Sequence, residues 1–248
     1  MTVRNRALLI GSGLALLLVL VTVLVFSPHS VLPRHGVFRQ HGVFPQHGVF
    51  PQHRADSSAA PSGPPPAAGM VASGFGAAGI GDPYFPRAGN GGYDVTGYDI
   101  QIRYDPSTDR LEGHTTITAQ ATENLSRFNL DLKLPATAVT VDDQPAWIRQ
   151  EASELQVTPA APVLAGQPMT VRADYAGVPS SIPGGPRDEP PWRRTADGAV
   201  GVGEPDSAAW WFPSNDHPSD KATVAVTATV PAGVEAISNG ALLGGPEP

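Results

Sequence analysis

The chain has 248 residues and a formal net charge of −7 at pH 7, from 16 Lys and Arg against 23 Asp and Glu. Residues 1–54 contain five Arg and no acidic residue, so the other 11 basic residues share residues 55–248 with all 23 acidic residues. Binding to nucleic acid requires a basic face that displaces counterions from phosphates, and this acidic body excludes nucleic acid as an expected partner. The chain contains no Cys, which excludes disulfides and a lipid-modified amino-terminal Cys.

The first element in chain order is an apolar run at residues 7–26, which contains no charged residue and follows Arg4 and Arg6. Twenty helical residues span about 30 Å, the thickness of a bilayer hydrocarbon core. The run is longer than the roughly 7–15 apolar residues of a cleavable signal peptide, and no Ala-x-Ala pattern follows it. We therefore predict an uncleaved, single-pass transmembrane signal anchor in the cell membrane, with residues 1–6 as a cytoplasmic basic tip and the remainder extracytoplasmic. Secretion after signal cleavage is the alternative.

A repeat of six residues follows, in which His-Gly-Val-Phe recurs three times. Pro and Gly in a period of six suit neither a helix nor a regular strand. The Ala-, Pro-, Gly- and Ser-rich stretch at residues 55–80 cannot bury enough apolar surface to offset its backbone entropy. We interpret residues 27–80 as a disordered stalk. The alternative is metal binding by repeated imidazoles, which would use His35, His41, His47 and His53.

Residues 81–248 are predicted to form one β domain. From Tyr93 onward the sequence alternates apolar and polar residues, is rich in β-branched residues and is broken by Pro, Gly and Asp, which is typical of strands with one buried face. No long window beyond residue 26 has a helical period. Many short strands without helices predict an all-β fold, a twisted antiparallel β-sandwich. The clearest runs are residues 98–104, 114–121, 128–134, 169–175 and 222–230.

Two sequence blocks carry a family resemblance. The first is Gly-Asp-Pro-Tyr-Phe-Pro at residues 81–86, followed by Gly-Asn-Gly-Gly-Tyr-Asp-Val at residues 89–95. The second is Trp-Trp-Phe-Pro-Ser-Asn-Asp-His-Pro-Ser-Asp-Lys-Ala-Thr at residues 210–223. In this order the blocks resemble the amino-terminal domain of M1-family (aminopeptidase N-like) zinc metallopeptidases, over about residues 81–243. The resemblance implies removal of amino-terminal residues from peptides. It also implies a domain that is incomplete at its C-terminus, in a chain truncated before the catalytic domain.

The resemblance implies that zinc is held by a His-Glu-x-x-His helix in a following domain. Neither this pattern nor the family's Gly-x-Met-x-Asn occurs in the sequence. We therefore expect no catalytic residue and no zinc site in this chain, which would be inactive alone, while zinc remains the cofactor implied for the full-length family enzyme.

One substrate-binding residue is also implied. The family places an acidic or amide residue eight positions before the Phe of Phe-Pro, where it binds the free α-amino group of the peptide. Counting back from Phe212 gives Glu204, and a carboxylate suits this role because its hydrogen bond with an ammonium is charge-assisted. The alternative is a solvated loop acid.

The second block offers two further predictions. Trp210, Trp211 and Phe212 are predicted to hold the loop in the core, because aromatic side chains bury large areas, with an exposed ligand-binding patch as the alternative. The polar residues 215–221 are predicted to form structural hydrogen bonds in turns, with acid–base chemistry by Asp216 and His217 as the alternative.

Two functional classes fit these observations. The first is a membrane-anchored amino-terminal domain of an M1-type zinc aminopeptidase, which would meet peptide substrates only where a catalytic domain is present. The second is a self-sufficient extracytoplasmic β-sandwich that binds a partner from a membrane tether.

Overall fold

The computed structural model describes residues 22–26, 34–40, 74–184, 190–202 and 206–244. These residues form sixteen β-strands and short 3-10 helices at Pro179–Ser181 and Ala208–Trp210. None of the helices within these ranges is long and apolar enough to span a bilayer. The strands are β1 (Thr22–Phe26), β2 (Arg34–Gln40), β3 (Gly74–Phe75), β4 (Tyr93–Asp105), β5 (Arg110–Ala121), β6 (Leu125–Asp131), β7 (Ala136–Val141), β8 (Gln144–Pro145), β9 (Trp147–Glu151), β10 (Glu154–Thr158), β11 (Pro168–Gly177), β12 (Trp192–Arg194), β13 (Ala199–Val202), β14 (Thr223–Val230), β15 (Glu235–Ser238) and β16 (Ala241–Gly244).

These strands form three sheets. The largest has the order β16-β2-β14-β4-β5-β11-β7-β8, and two four-stranded sheets have the orders β3-β6-β10-β9 and β12-β13-β1-β15. Neighbouring strands are antiparallel except β4 with β14 and β3 with β6. The predicted all-β architecture is confirmed, and the arrangement is consistent with a sandwich, but two of its three sheets are mixed rather than purely antiparallel. Parallel pairs join segments that are far apart in sequence, so local alternation of residue types does not specify them.

The core lies between the eight-stranded sheet and the β3-β6-β10-β9 sheet. β4 and β5 bury alternate residues such as Ile100 and Ile117, and β6 contributes Phe128 to the same hydrophobic cluster. The ring of Tyr93 meets that of Phe128 edge to face, with a centroid separation of 5.7 Å. The alternation read from the sequence therefore forms the interior of the domain.

The folded domain begins before residue 81, which corrects the predicted boundary. Gly74 and Phe75 pair with β6, and the amide of Gly76 donates to the carbonyl of Arg127 at 2.8 Å. A Cβ on Gly76 would lie 2.6 Å from the carbonyl oxygen of Gly91, so only glycine permits this close backbone approach. The stretch joins the sheet through its backbone, which its weakly apolar composition does not reveal.

Two amino-terminal segments also differ from the prediction. β1 lies between β13 and β15, where a helix was predicted, and β2 lies between β14 and β16, within the predicted stalk. The β-branched Thr22, Val23 and Val25 favour a strand as readily as an apolar helix. A six-residue period excludes a long regular strand but permits a single short one. Residues 7–21, 27–33 and 41–73, including His41, His47 and His53, lie outside the described residues, while His35 lies in β2 opposite Thr229.

The long connection after β11 is fixed to the sheet by a buried carboxylate. Asp109 accepts hydrogen bonds from the Tyr104 hydroxyl at 2.7 Å, from Trp192 Nε1 at 3.2 Å and from the amide of Ser180 at 3.2 Å. Trp192 begins β12, and its ring meets that of Tyr104 edge to face. These contacts direct the chain into β13 and towards the loop that carries the second sequence block.

Candidate functional site

The second sequence block is built on buried aromatic side chains. The 3-10 helix Ala208–Trp210 leads into Trp211 and Phe212, whose rings meet edge to face with a centroid separation of 4.4 Å. Phe212 in turn contacts the ring of Tyr98 on β4. All three aromatic residues of the block are buried, so the prediction that they hold the loop in the core is confirmed.

Asn215 connects the two sequence blocks. Its Oδ1 accepts from the amide of Asn90 at 2.5 Å, and its Nδ2 donates to the Asn90 carbonyl at 3.2 Å and to the Asp220 carboxylate. The Asn215 amide donates to the Tyr98 hydroxyl at 2.9 Å. Asp220 also accepts from the amide of Val95 at 3.1 Å. The predicted structural role of this polar stretch is confirmed, and its partners Asn90, Val95 and Tyr98 lie more than one hundred residues away in the chain.

Two aspartates, the buried Asp131 and the half-buried Asp216, extend this network. Asp131, at the end of β6, accepts at Oδ2 from Asn90 Nδ2 at 2.9 Å and from the Asp216 amide at 2.8 Å. Asp216 accepts from the amide of Ala208 at 2.8 Å, at the start of the 3-10 helix. Burial raises the pKa of Asp131 to about 7. Burial, together with the charge of Asp131, also raises the pKa of Asp216.

The structure pairs His217 with an acid other than Asp216. His217 Nε2 lies 3.5 Å from Asp82 Oδ2, and its Nδ1 lies 2.7 Å from the Ser219 hydroxyl. Asp82 also accepts from the amides of the two residues after Pro83, which lowers its pKa. Gly89 has a φ of +68°, and a Cβ there would lie 2.6 Å from His217 Cβ. The Asp82–His217 pair thus fixes the first block against the second.

A cavity of about 690 Å³ opens where these segments meet. Its acidic residues are Asp131, Glu154, Asp206 and Asp216, and its basic residues are Arg87 and Lys133. Burial raises the pKa of both Glu154 and Asp206. The remaining lining residues are Tyr84, Phe85, Pro86, Ala88, Ala152, Ser153, Ala209 and Trp210.

Asp131 and Glu154 were not predicted from the sequence, although both line the cavity. Asp131 alternates with Phe128, Leu130 and Leu132, so its place in the pattern predicts a solvent-facing side chain. The second block covers the Asp131 side chain, because the Asp216 amide donates to its Oδ2, while Ser214 pairs with the Asp131 backbone through hydrogen bonds of 2.8 and 3.1 Å. The sequence of β6, Leu-Ser-Arg-Phe-Asn-Leu-Asp, does not distinguish Asp131 from the other polar residues of the strand.

Glu204, the predicted substrate-binding residue, lies outside the described residues, between Val202 and Asp206. Asp206, the first described residue after this gap, lines the cavity. Within the described ranges, no group of three His, Asp or Glu side chains is arranged to hold a metal ion. Zinc prefers nitrogen and sulfur ligands with a few carboxylates, and Asp131 and Asp216 are already bonded to backbone amides. The described residues therefore do not fit a zinc site.

Comparison with known proteins identifies structural relatives. No protein-family model and no curated protein sequence matches the chain. An M1 zinc metallopeptidase from Deinococcus radiodurans matches 62% of this chain with 36% identity and a TM-score of 0.56. A variant of that enzyme was solved with a Tyr-Ser-Ala substrate, and it matches with 35% identity and a TM-score of 0.57. A two-domain M1 zinc metallopeptidase matches 68% of this chain with 31% identity and a TM-score of 0.58.

The chain is similar to M1 zinc metallopeptidases. The matched region is their amino-terminal domain, in agreement with the resemblance seen in the two sequence blocks. The chain spans 36–43% of the length of these structures. The comparison supports a relationship to this peptidase family, and the activity of the whole enzymes enters only as a proposal.

Proposed function

We propose that this chain is the membrane-anchored amino-terminal β domain of an M1-type zinc aminopeptidase. The similarity to M1 zinc metallopeptidases over 62–68% of the chain, at 31–36% identity, carries the proposal. In this proposal the domain helps to bind the free amino terminus of a peptide, and a zinc-binding catalytic domain performs the hydrolysis. Zinc, when bound there, would activate the water that attacks the peptide bond.

Glu204 is the residue that we propose for the α-amino group of the substrate. In sequence it lies two residues before Asp206, which lines the cavity, and two residues after Val202, the last residue of β13. A carboxylate there would select free amino termini, because a blocked terminus offers no ammonium to pair with it.

The test uses a fusion of this chain to the zinc-binding part of the two-domain M1 relative. The fusion is expected to hydrolyse a chromogenic amino-acid amide, and the unfused chain is expected to show no activity with or without added zinc. Glu204→Ala should lower kcat/KM by a factor that corresponds to a loss of about 1.5–3 kcal/mol in transition-state stabilisation, the range for a hydrogen bond to a charged group. Glu204→Gln should fall between, because it keeps the acceptor and loses the charge.

The matched control is Glu123→Ala, an exposed acid on another turn of the domain, which should leave kcat/KM unchanged. Folding of each variant is checked by far-ultraviolet circular dichroism. A change of less than about twofold for Glu204→Ala would make Glu204 a solvated loop acid. An inert fusion that is stably folded would favour the binding-module alternative.

The membrane anchor at residues 7–26 is the second part of the proposal. It is supported by the length and apolarity of this run. A helix through residue 26 and the strand β1 exclude each other, so the membrane-bound form would leave β13 and β15 without β1 between them. We expect the mature protein to keep Met1 and to sediment with membranes. Amino-terminal sequencing that finds a start between residues 27 and 60 would contradict the anchor.

A further inference from the structure

Asparagine is followed directly by glycine at two places in the chain, Asn90-Gly91 and Asn239-Gly240. In such a pair the main-chain nitrogen of the glycine can attack the side-chain amide of the asparagine, because glycine has no Cβ to hinder the approach. The structure places the two pairs in opposite surroundings. Asn90 is buried between the two sequence blocks, whereas Asn239 is exposed in the bend between β15 and β16.

Hydrogen bonds hold both reacting groups of the buried pair. Asn90 Nδ2, the atom that would leave, donates to Asp131 Oδ2 at 2.9 Å. The Gly91 amide, which would attack, donates to the carbonyl of Ala77 at 2.9 Å. The Asn90 main chain is fixed as well, because its amide and its carbonyl both bond to the Asn215 side chain. Reaction at Asn90 therefore requires this buried region to open first.

The exposed pair forms a two-residue link between strands of different sheets. β15 ends at Ser238, and β16 begins at Ala241. No hydrogen bond from the Gly240 amide is present within the ranges that the structure describes. The Ser238 hydroxyl donates to Asn239 Oδ1 at 3.4 Å, and this oxygen gains negative charge when a nucleophile adds to the amide carbon. A donor at an oxygen where charge develops favours the addition.

We propose that Asn239 is a site of spontaneous deamidation. The Gly240 nitrogen attacks Asn239 Cγ and loses its proton, and Nδ2 leaves as ammonia, so that a succinimide ring forms. Water then opens the ring at either carbonyl. Opening at Cγ gives aspartate, and opening at the main-chain carbonyl gives isoaspartate, in which the main chain runs through the side chain. Both products add a negative charge, and isoaspartate also lengthens the link between β15 and β16 by one main-chain atom.

The test is incubation of the full chain in a non-ionic detergent at pH 8.5 and 37 °C, followed by peptide mapping with mass spectrometry. Asn239 is expected to lose its amide at least tenfold faster than Asn90, which is the matched control within the same chain. In guanidinium chloride, which removes the folded surroundings, the two rates should agree within about threefold. The incubated chain should also accept methyl groups from S-adenosylmethionine through a purified isoaspartyl methyltransferase, which detects isoaspartate.

Gly240→Ala separates attack by the main-chain nitrogen from direct hydrolysis of the amide. The φ of Gly240 lies outside the left-handed region, so alanine fits the backbone, while its Cβ hinders the attack. This variant should slow deamidation at least fivefold. Ser238→Ala should slow it by about two- to threefold in the folded chain and leave the rate in guanidinium chloride unchanged.

Two results would overturn the proposal. One is a folded chain in which Asn90 and Asn239 lose their amides at rates within about threefold of each other. The other is an unchanged rate at Asn239 in Gly240→Ala. A folded Ser238→Ala variant that reacts as fast as the parent would exclude the Ser238 hydroxyl from the reaction.

Discussion

Asn215→Ala is expected to lower the free energy of unfolding by about 3–5 kcal/mol. The substitution removes three hydrogen bonds of the side chain, two to the backbone of Asn90 and one to Asp220. It leaves the buried Asn90 amide and the half-buried Asp220 carboxylate without this partner, and each such loss costs about 1–3 kcal/mol. The network joins both sequence blocks, so its loss should loosen the wall of the cavity.

The measurement is urea unfolding of the full chain in a non-denaturing detergent, followed by tryptophan fluorescence. Ser219→Ala is the control, because Ser219 is exposed in the same loop, and it should change the free energy by less than about 1 kcal/mol. Asn215→Asp keeps the acceptor for the Asn90 amide but places a carboxylate against Asp220. It should be strongly destabilised at pH 7.5 and partly recovered at pH 5, because burial raises the pKa of Asp220 to about 6. A cost below 1 kcal/mol for Asn215→Ala would show that the network is not structural.

The interior of the domain was predictable from the sequence. Tyr98, Ile100, Ile102 and Tyr104 alternate with polar residues, and all four are buried on β4 as expected. Burial of the Trp210–Phe212 aromatic residues also follows from residue type, because side chains of this size are costly to expose. These predictions succeed because each depends on a pattern within a few residues.

The site was predictable only in part, because its residues are joined by contacts between distant segments. The sequence could not reveal that the second block covers Asp131, or that Glu154 on the β9–β10 hairpin lies beside it. The requirement for glycine at position 97 also depends on contacts with distant segments, which the sequence does not reveal. Gly97 lies at a bulge between β4 and β5, and a Cβ there would lie 3.1 Å from the hydroxyls of Thr118 and Thr223.

The domain is expected to become less stable as the pH rises from about 4 to about 7. Burial raises the pKa of Asp131 from 3.8 to about 7 in the folded state. Over this window the unfolded chain releases a proton that the folded domain keeps, so the free energy of unfolding falls with rising pH. Above pH 7 the carboxyl is ionised in both states, and its contribution no longer changes. Burial raises the pKa of Asp216 and Asp220 as well, so they act in the same direction.

The free energy of unfolding is expected to decrease by about 2–4 kcal/mol between pH 4.5 and pH 7.5. Each unit of pKa shift corresponds to roughly 1.4 kcal/mol, and the total is shared among the acids because their titrations are coupled.

Asp131→Asn is the decisive variant. Both hydrogen bonds to Asp131 end on the same oxygen, Oδ2, so an amide oxygen in that position can keep them while the titration is lost. Urea midpoints should therefore change with pH by no more than half as much in Asp131→Asn as in the parent. Asp99→Asn, at an exposed position of β4, should keep the full dependence. A parent chain that gains stability from pH 4.5 to pH 7.5 would show that these carboxylates are stabilised as anions in the folded state.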